Sequence, residues 1–172
     1  IEPRLTFQWL SPYDHDAKIV QIDYGVDNLP SGTMTINYSL TNRLLARRKT
    51  GAGPGVVTDL LGVTISQSRY SEASAAQADP NYPSATTGSY SAVQIAARVS
   101  PTDRLTGTFQ TFIDPKFKKP QQFSAAASIM RSTSRITAVW SKTQYIRGSD
   151  SVYGYPESAA HSLGGGVTIQ PA

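Results

Sequence analysis

Apolar and polar residues alternate along most of this chain, most clearly over 89–147. Segment 93–99 sets Val93, Ile95, Ala97 and Val99 against Gln94, Ala96 and Arg98. Segment 105–113 sets Leu105, Gly107, Phe109 and Ile113 against Thr106, Thr108 and Gln110. Segment 123–130 sets Phe123, Ala125, Ala127 and Ile129 against Ser124, Ala126 and Ser128. Segment 136–145 opens with Ile136, Ala138 and Trp140 against Thr137, Val139 and Ser141. A period of two with one apolar side marks a strand between an apolar medium and water. Four such segments, joined by short polar connections, predict an antiparallel meander.

The alternation extends both ways. Residues 4–10 form a first strand, and 33–47 set Met34, Ile36, Tyr38, Leu40 and Leu44 against Thr35, Asn37, Ser39, Thr41 and Arg43. Residues 57–70 set Leu61, Val63 and Ile65 against Gly62, Thr64, Ser66 and Ser68. The last strand, 161–170, sets Leu163, Val167 and Ile169 against Ser162, Gly164, Gly166 and Thr168. The total is eight strands.

Residues 11–32 are rich in Pro and Asp and read as a long loop, with a short extended piece at 19–24. A Gly-rich run at 51–55 breaks the chain. Residues 71–88 form another long loop, with a short helix expected at 71–78, and 148–160 a third. In an up-and-down meander, connections 11–32, 71–88, 114–120 and 148–160 share one end, and 48–56, 100–104 and 131–134 share the other. Long loops at one end and short turns at the other is how outer-membrane barrels are built. Most strands run to about 9–14 residues, enough to cross a bilayer when tilted, whereas soluble strands average about 5–6.

Composition sharpens this picture. The 172 residues suffice for one domain, and only 16% are charged, with Ser, Thr, Gly and Ala filling the gap. A net charge of +4, dispersed along the chain, does not point to nucleic acid. There is no cysteine, so disulfides, thiol nucleophiles and Cys-ligated metals are excluded. No run of 18 apolar residues occurs, which excludes a transmembrane helix and leaves a membrane barrel open. The chain starts at Ile1 rather than Met, so it is expected to be processed or excised from a longer one.

One face of the predicted sheet carries Thr64, Ser66, Gln94, Thr106, Thr108, Gln110, Ser124 and Ser128, small polar residues suited to a hydrated lumen. Tyr24, Tyr38, Tyr70, Tyr90, Trp140 and Tyr145 lie mostly toward strand ends, as an interfacial aromatic girdle requires. A soluble β-sandwich with one wet face also fits alternation alone.

Catalytic or cofactor chemistry is thin. Asp14-His15-Asp16 has metal-ligating residue types, but consecutive residues in a turn point apart, and a hydrated loop is expected. His161 stands alone at a strand start, and two separate histidines give no supported Ser-His-Asp set. Gly164-Gly165-Gly166 lacks the Lys-Ser/Thr of a P-loop and is expected to mark a bend or bulge. Arg47, Arg48 and Lys49 read as a solvated strand-end cluster. No enzyme activity and no cofactor are expected.

The run Ile1-Glu-Pro-Arg-Leu-Thr-Phe7, the Asp-rich loop, and then Tyr38-Ser-Leu-Thr-Asn-Arg-Leu44 resemble the barrel of the LptD family, outer-membrane proteins that assemble lipopolysaccharide, also called organic solvent tolerance proteins. Val63-Thr-Ile-Ser-Gln-Ser-Arg-Tyr70, Val99-Ser-Pro-Thr-Asp-Arg-Leu105 and the strand pair 121–130 and 135–145 follow in the family's order. The resemblance covers nearly the whole chain and rests on order and spacing, each piece alone being weakly specific. It extends to the later half of the family's barrel and not to its periplasmic jelly-roll domain, cysteines or terminal strands.

The resemblance implies an all-β, up-and-down segment of a larger transmembrane barrel, with 1–172 as one domain open at both ends. It implies a place in the bacterial outer membrane, with lipopolysaccharide, membrane lipid, a plug lipoprotein and periplasmic bridge proteins as partners. Lys116, Lys118 and Lys119, with Arg69 and Arg147, fall at the long-loop end, where the lipid phosphates would sit. The alternatives are a small autonomous eight-stranded barrel serving as adhesin or channel, and a soluble β-sandwich binding module.

Overall fold

The computed structural model describes residues 1–12, 32–48, 55–72, 89–144 and 159–169. They form one antiparallel sheet of eight strands in chain order: β1 (Glu2–Trp9), β2 (Met34–Arg48), β3 (Val56–Tyr70), β4 (Val93–Thr102), β5 (Leu105–Ile113), β6 (Pro120–Arg131), β7 (Ser134–Thr143) and β8 (Ala160–Ile169). The predicted meander is present, and every predicted strand is found within a few residues of its expected bounds. The sheet does not close: β1 pairs only with β2, and β8 only with β7. No helix among the described residues is long and apolar enough to cross a membrane, which says nothing of crossing by strands.

Strand register turns the sequence alternation into two faces. Thr41, Thr64, Ala96, Gln110, Ser124, Ser141 and Ser162 form one continuous row across β2 to β8. The row beside it on the opposite face is Val63, Ala97, Phe109, Ala125, Trp140 and Leu163. A one-residue slip would exchange the faces, so the apolar set itself holds the register. The ladder shifts between Leu44 and Leu45 and again near the turns of β4–β5 and β5–β6. The first shift leaves Leu60 of β3 unopposed. The glycines of β8 make no bulge, contrary to the sequence expectation. Gly164, Gly165 and Gly166 pair in unbroken register with Val139, Ala138 and Thr137. Close approach applies to two of them: a Cβ would lie 3.4 Å from the Thr137 carbonyl oxygen at Gly165 and 3.3 Å from its hydroxyl at Gly166, whereas one at Gly164 would meet nothing within 4 Å.

Burial is concentrated at the long-loop end and is mostly polar. Among the described residues the buried polar side chains are Thr33, Ser68, Ser91, Thr111, Asp114 and Gln121, and the buried apolar ones are Tyr70, Ala92 and Phe112. Residues 89–92 extend the β3–β4 ladder there. Tyr70 N–H donates to the Ser89 carbonyl at 2.8 Å, and Ser91 N–H to the Ser68 carbonyl at 2.9 Å. The Ser91 hydroxyl in turn accepts from Ser68 N–H at 2.9 Å, and Ser68 Oγ donates to Asn37 Oδ1. Buried polar groups are mostly so paired, the Thr111 hydroxyl being the exception among the described side chains.

The β5–β6 connection is built on Asp114. Its buried carboxylate accepts from Lys116 N–H at 2.7 Å, Phe117 N–H at 2.8 Å and Gln121 Nε2 at 3.3 Å. Lys118 adopts a φ of 54°, and its N–H donates to the Asp114 carbonyl at 2.9 Å, closing the loop.

Candidate functional site

The polar face is the more sheltered of the two and forms an open trough. Cross-strand hydroxyl and amide pairs tie its strands together. Thr41 and Thr64 share a hydrogen bond at 2.9 Å, Thr106 and Ser128 one at 2.8 Å, and the Ser66 hydroxyl donates to Gln94 Oε1 at 3.3 Å. All eight residues expected to line a lumen fall on this face. Ser66 opposes Gln94, Thr106 opposes Ser128, Gln110 opposes Ser124, and Thr64 and Thr108 sit in the rows of Ala96 and Arg98. The trough encloses about 830 Å³ above β2 to β6.

Charge inside the trough gathers at one place. Arg43 lies 3.2 Å from Glu2 and 3.9 Å from Asp59, tying β1, β2 and β3. These exposed pairs are each worth about 0–1 kcal/mol. Sequence alternation puts Arg43 and Arg98 on the polar side, but only the register shows that they flank Gly62.

The other face is apolar and open. Leu5, Leu40, Leu44, Leu61, Ile65, Val99, Phe109, Ile129, Ile136, Leu163 and Val167 are all exposed on it. Apart from Phe109 at mid-strand, the aromatic residues named on it lie toward the long-loop end: Phe7 and Trp9 at the end of β1, Tyr38 in the first half of β2, Phe123 early in β6 and Trp140 late in β7. Tyr38 O–H donates to Gln67 Oε1, and Gln67 Nε2 donates to the Ser91 carbonyl at 3.0 Å, so the phenol is satisfied; Arg69, Lys142 and His161 are further polar members of this face, near its long-loop end. Tyr70 does not belong to this band. It pairs with Thr35 on the polar side and is 2% exposed, and its N–H donates to the Ser89 carbonyl. Tyr24 and Tyr145 lie outside the described residues.

Of the rim cations, Lys116, Lys118 and Lys119 are exposed on the Asp114 loop, and the Lys116 ammonium lies 5.4 Å from the Phe117 ring. Arg69 is placed apart from them, on the far side of β4, with its guanidinium 5.8 Å from the Tyr90 ring. Arg147 lies outside the described residues, as do Asp14, His15, Asp16, Lys49 and the expected extended piece at 19–24. The helix expected at 71–78 falls there also, apart from Ser71 and Glu72. His161 opposes Lys142, with its ring 6.5 Å from Trp140, on the apolar face. Among the described residues no three His, Cys, Asp or Glu side chains gather as a metal site would require.

Compared with known proteins, the chain matches no family model, no curated sequence and no solved structure.

Proposed function

We propose that the chain is a length of wall from an outer-membrane β-barrel, with its apolar face against lipid and its polar face lining a hydrated lumen. The observation that carries this is the inverted burial among the described residues: aliphatic side chains stand exposed while six of the nine buried side chains are polar. Leu163 is 82% exposed and Ile136 54%, within a face that spans every strand. Soluble monomers rarely expose contiguous apolar patches beyond a few hundred Å². Acyl chains cover such a face, and the sheet satisfies its own backbone except at two edges.

Dimensions agree with that setting. Nine residues of β5 extend about 30 Å, or roughly 23 Å along the membrane normal at about 40° of tilt, close to the ~25 Å apolar band of such barrels. The outward aromatics at the long-loop end resemble half of an interfacial girdle. The one-sided pairing of β1 and β8 favours a piece of a larger barrel over a closed eight-stranded one.

By its resemblance to the LptD family, the parent protein would deliver lipopolysaccharide to the outer leaflet with a plug lipoprotein and periplasmic bridge proteins. This stretch would supply wall and lumen. Lys116, Lys118 and Lys119, displayed by the Asp114 loop, would meet lipid phosphates as point charges. Replacing the three by Gln in the intact protein tests that role. Surface lipopolysaccharide should fall and antibiotic permeability rise at normal barrel abundance and low divalent cation. Unchanged permeability would leave them as solvated rim residues.

A further inference from the structure

Arg43, Gly62, Arg98 and Thr108 occupy one register row on four neighbouring strands of the polar face. The centre of that row is empty, since a Cβ added at Gly62 would meet nothing within 4 Å. Strands two apart lie about 10 Å from each other, so two arginine side chains can converge over the gap. The gap forms part of the trough wall, beside Asp59, Thr64 and Gln110.

The two guanidiniums are not equivalent. Arg43 is already balanced by Glu2 at 3.2 Å and Asp59 at 3.9 Å. Arg98 is exposed and has no acidic partner among the described residues. A lone guanidinium beside an unfilled seat, with threonine hydroxyls adjacent, has the donors and the space for an anion. We propose that the gap above Gly62 is a binding site for one tetrahedral oxyanion, a phosphate or phosphomonoester, held chiefly by Arg98.

The planar fork of Arg98 matches two phosphate oxygens. The Thr108 hydroxyl, in the next position of the row, donates to a third. Arg43 adds its charge from the opposite side while Glu2 holds it. Asp59 is engaged by Arg43, 3.9 Å away. The organic part of a monoester would run toward Thr64 and Gln110. This site goes beyond the membrane reading, because the trough exists whichever medium covers the outer face.

The test is calorimetric titration of the intact protein, in chloride-free buffer, with inorganic phosphate, glycerol phosphate and glycerol. Saturable one-to-one binding of inorganic phosphate is expected, and none of glycerol. Tighter binding of glycerol phosphate identifies an organic phosphate as the natural source; equal affinity identifies free phosphate. Arg98→Gln removes the fork, and Gly62→Val fills the seat with a residue that favours strands. Each should weaken binding by about tenfold or more, with heat-modifiable mobility on gels unchanged as the check on folding. Arg131→Gln, at the β6–β7 turn and outside the trough lining, should bind as the unaltered protein does. Absence of saturable phosphate binding, or undiminished binding in either trough variant, overturns the assignment.

Discussion

Phe109→Arg and Thr108→Arg are adjacent substitutions that should differ in cost by several-fold in energy. Phe109 is the fifth of nine residues in β5 and sits between Ala97 and Ala125 on the apolar face. An arginine at mid-strand facing lipid costs about 2–4 kcal/mol. Thr108 faces the trough between Arg98 and Ala126. A second arginine there meets Arg98 across about 5 Å of water, which costs about 0.8 kcal/mol. Phe109→Ala is the control, since acyl chains replace most of the contacts that the ring gives up. Equilibrium urea titration of the intact protein folding into lipid vesicles measures all three. The expected order of destabilisation is Phe109→Arg well above Phe109→Ala and Thr108→Arg. If Phe109→Arg costs no more than Phe109→Ala, the apolar face does not meet lipid and the facing is wrong.

Other outcomes follow from local geometry. Asp114→Ala strips three donors of their acceptor and should destabilise by about 1.5–3 kcal/mol, read as a lower urea midpoint with unchanged slope; Asp114→Asn should lose less. Ser132 has a φ of 46° in the two-residue β6–β7 turn, so Ser132→Gly should stabilise by up to about 1 kcal/mol in the same titration. The stretch 1–172 refolded alone in detergent should give no protease-resistant, heat-modifiable monomer, because β1 and β8 each keep an unpaired edge. A resistant monomer would favour the small autonomous barrel.

The strands were legible because period two was nearly unbroken in each, and β5 was placed at 105–113 with no error. The two faces were legible for the same reason. Irregularity was not. Leu44-Leu45-Ala46-Arg47 does not alternate, so the shift at Leu44 and the unopposed Leu60 could not be placed. The glycines of β8 suggested a bulge because composition alone does not distinguish weak pairing from close approach; the position of Thr137 decides it. The return of residues 89–92 to the end of β3 is a contact between distant parts of the chain that alternation does not encode. The pairing of Arg43 with Arg98 across Gly62 likewise needed two strand registers, neither of which is written in either segment alone.

The central claim is that the two faces of one sheet meet different media. Residues 1–172 hold no cysteine, so an introduced cysteine is the one nitroxide label site within them, any cysteines elsewhere in the intact protein being replaced first. In the intact protein reconstituted in lipid vesicles, labels at Ile95, Phe109, Ala125 and Leu163 should relax strongly with oxygen, which partitions into acyl chains. Labels at Thr64, Gln94, Thr108 and Ser124 should respond instead to a water-soluble nickel complex. The two responses should alternate residue by residue along β5. Nickel access equal at Thr108 and Phe109 would contradict it.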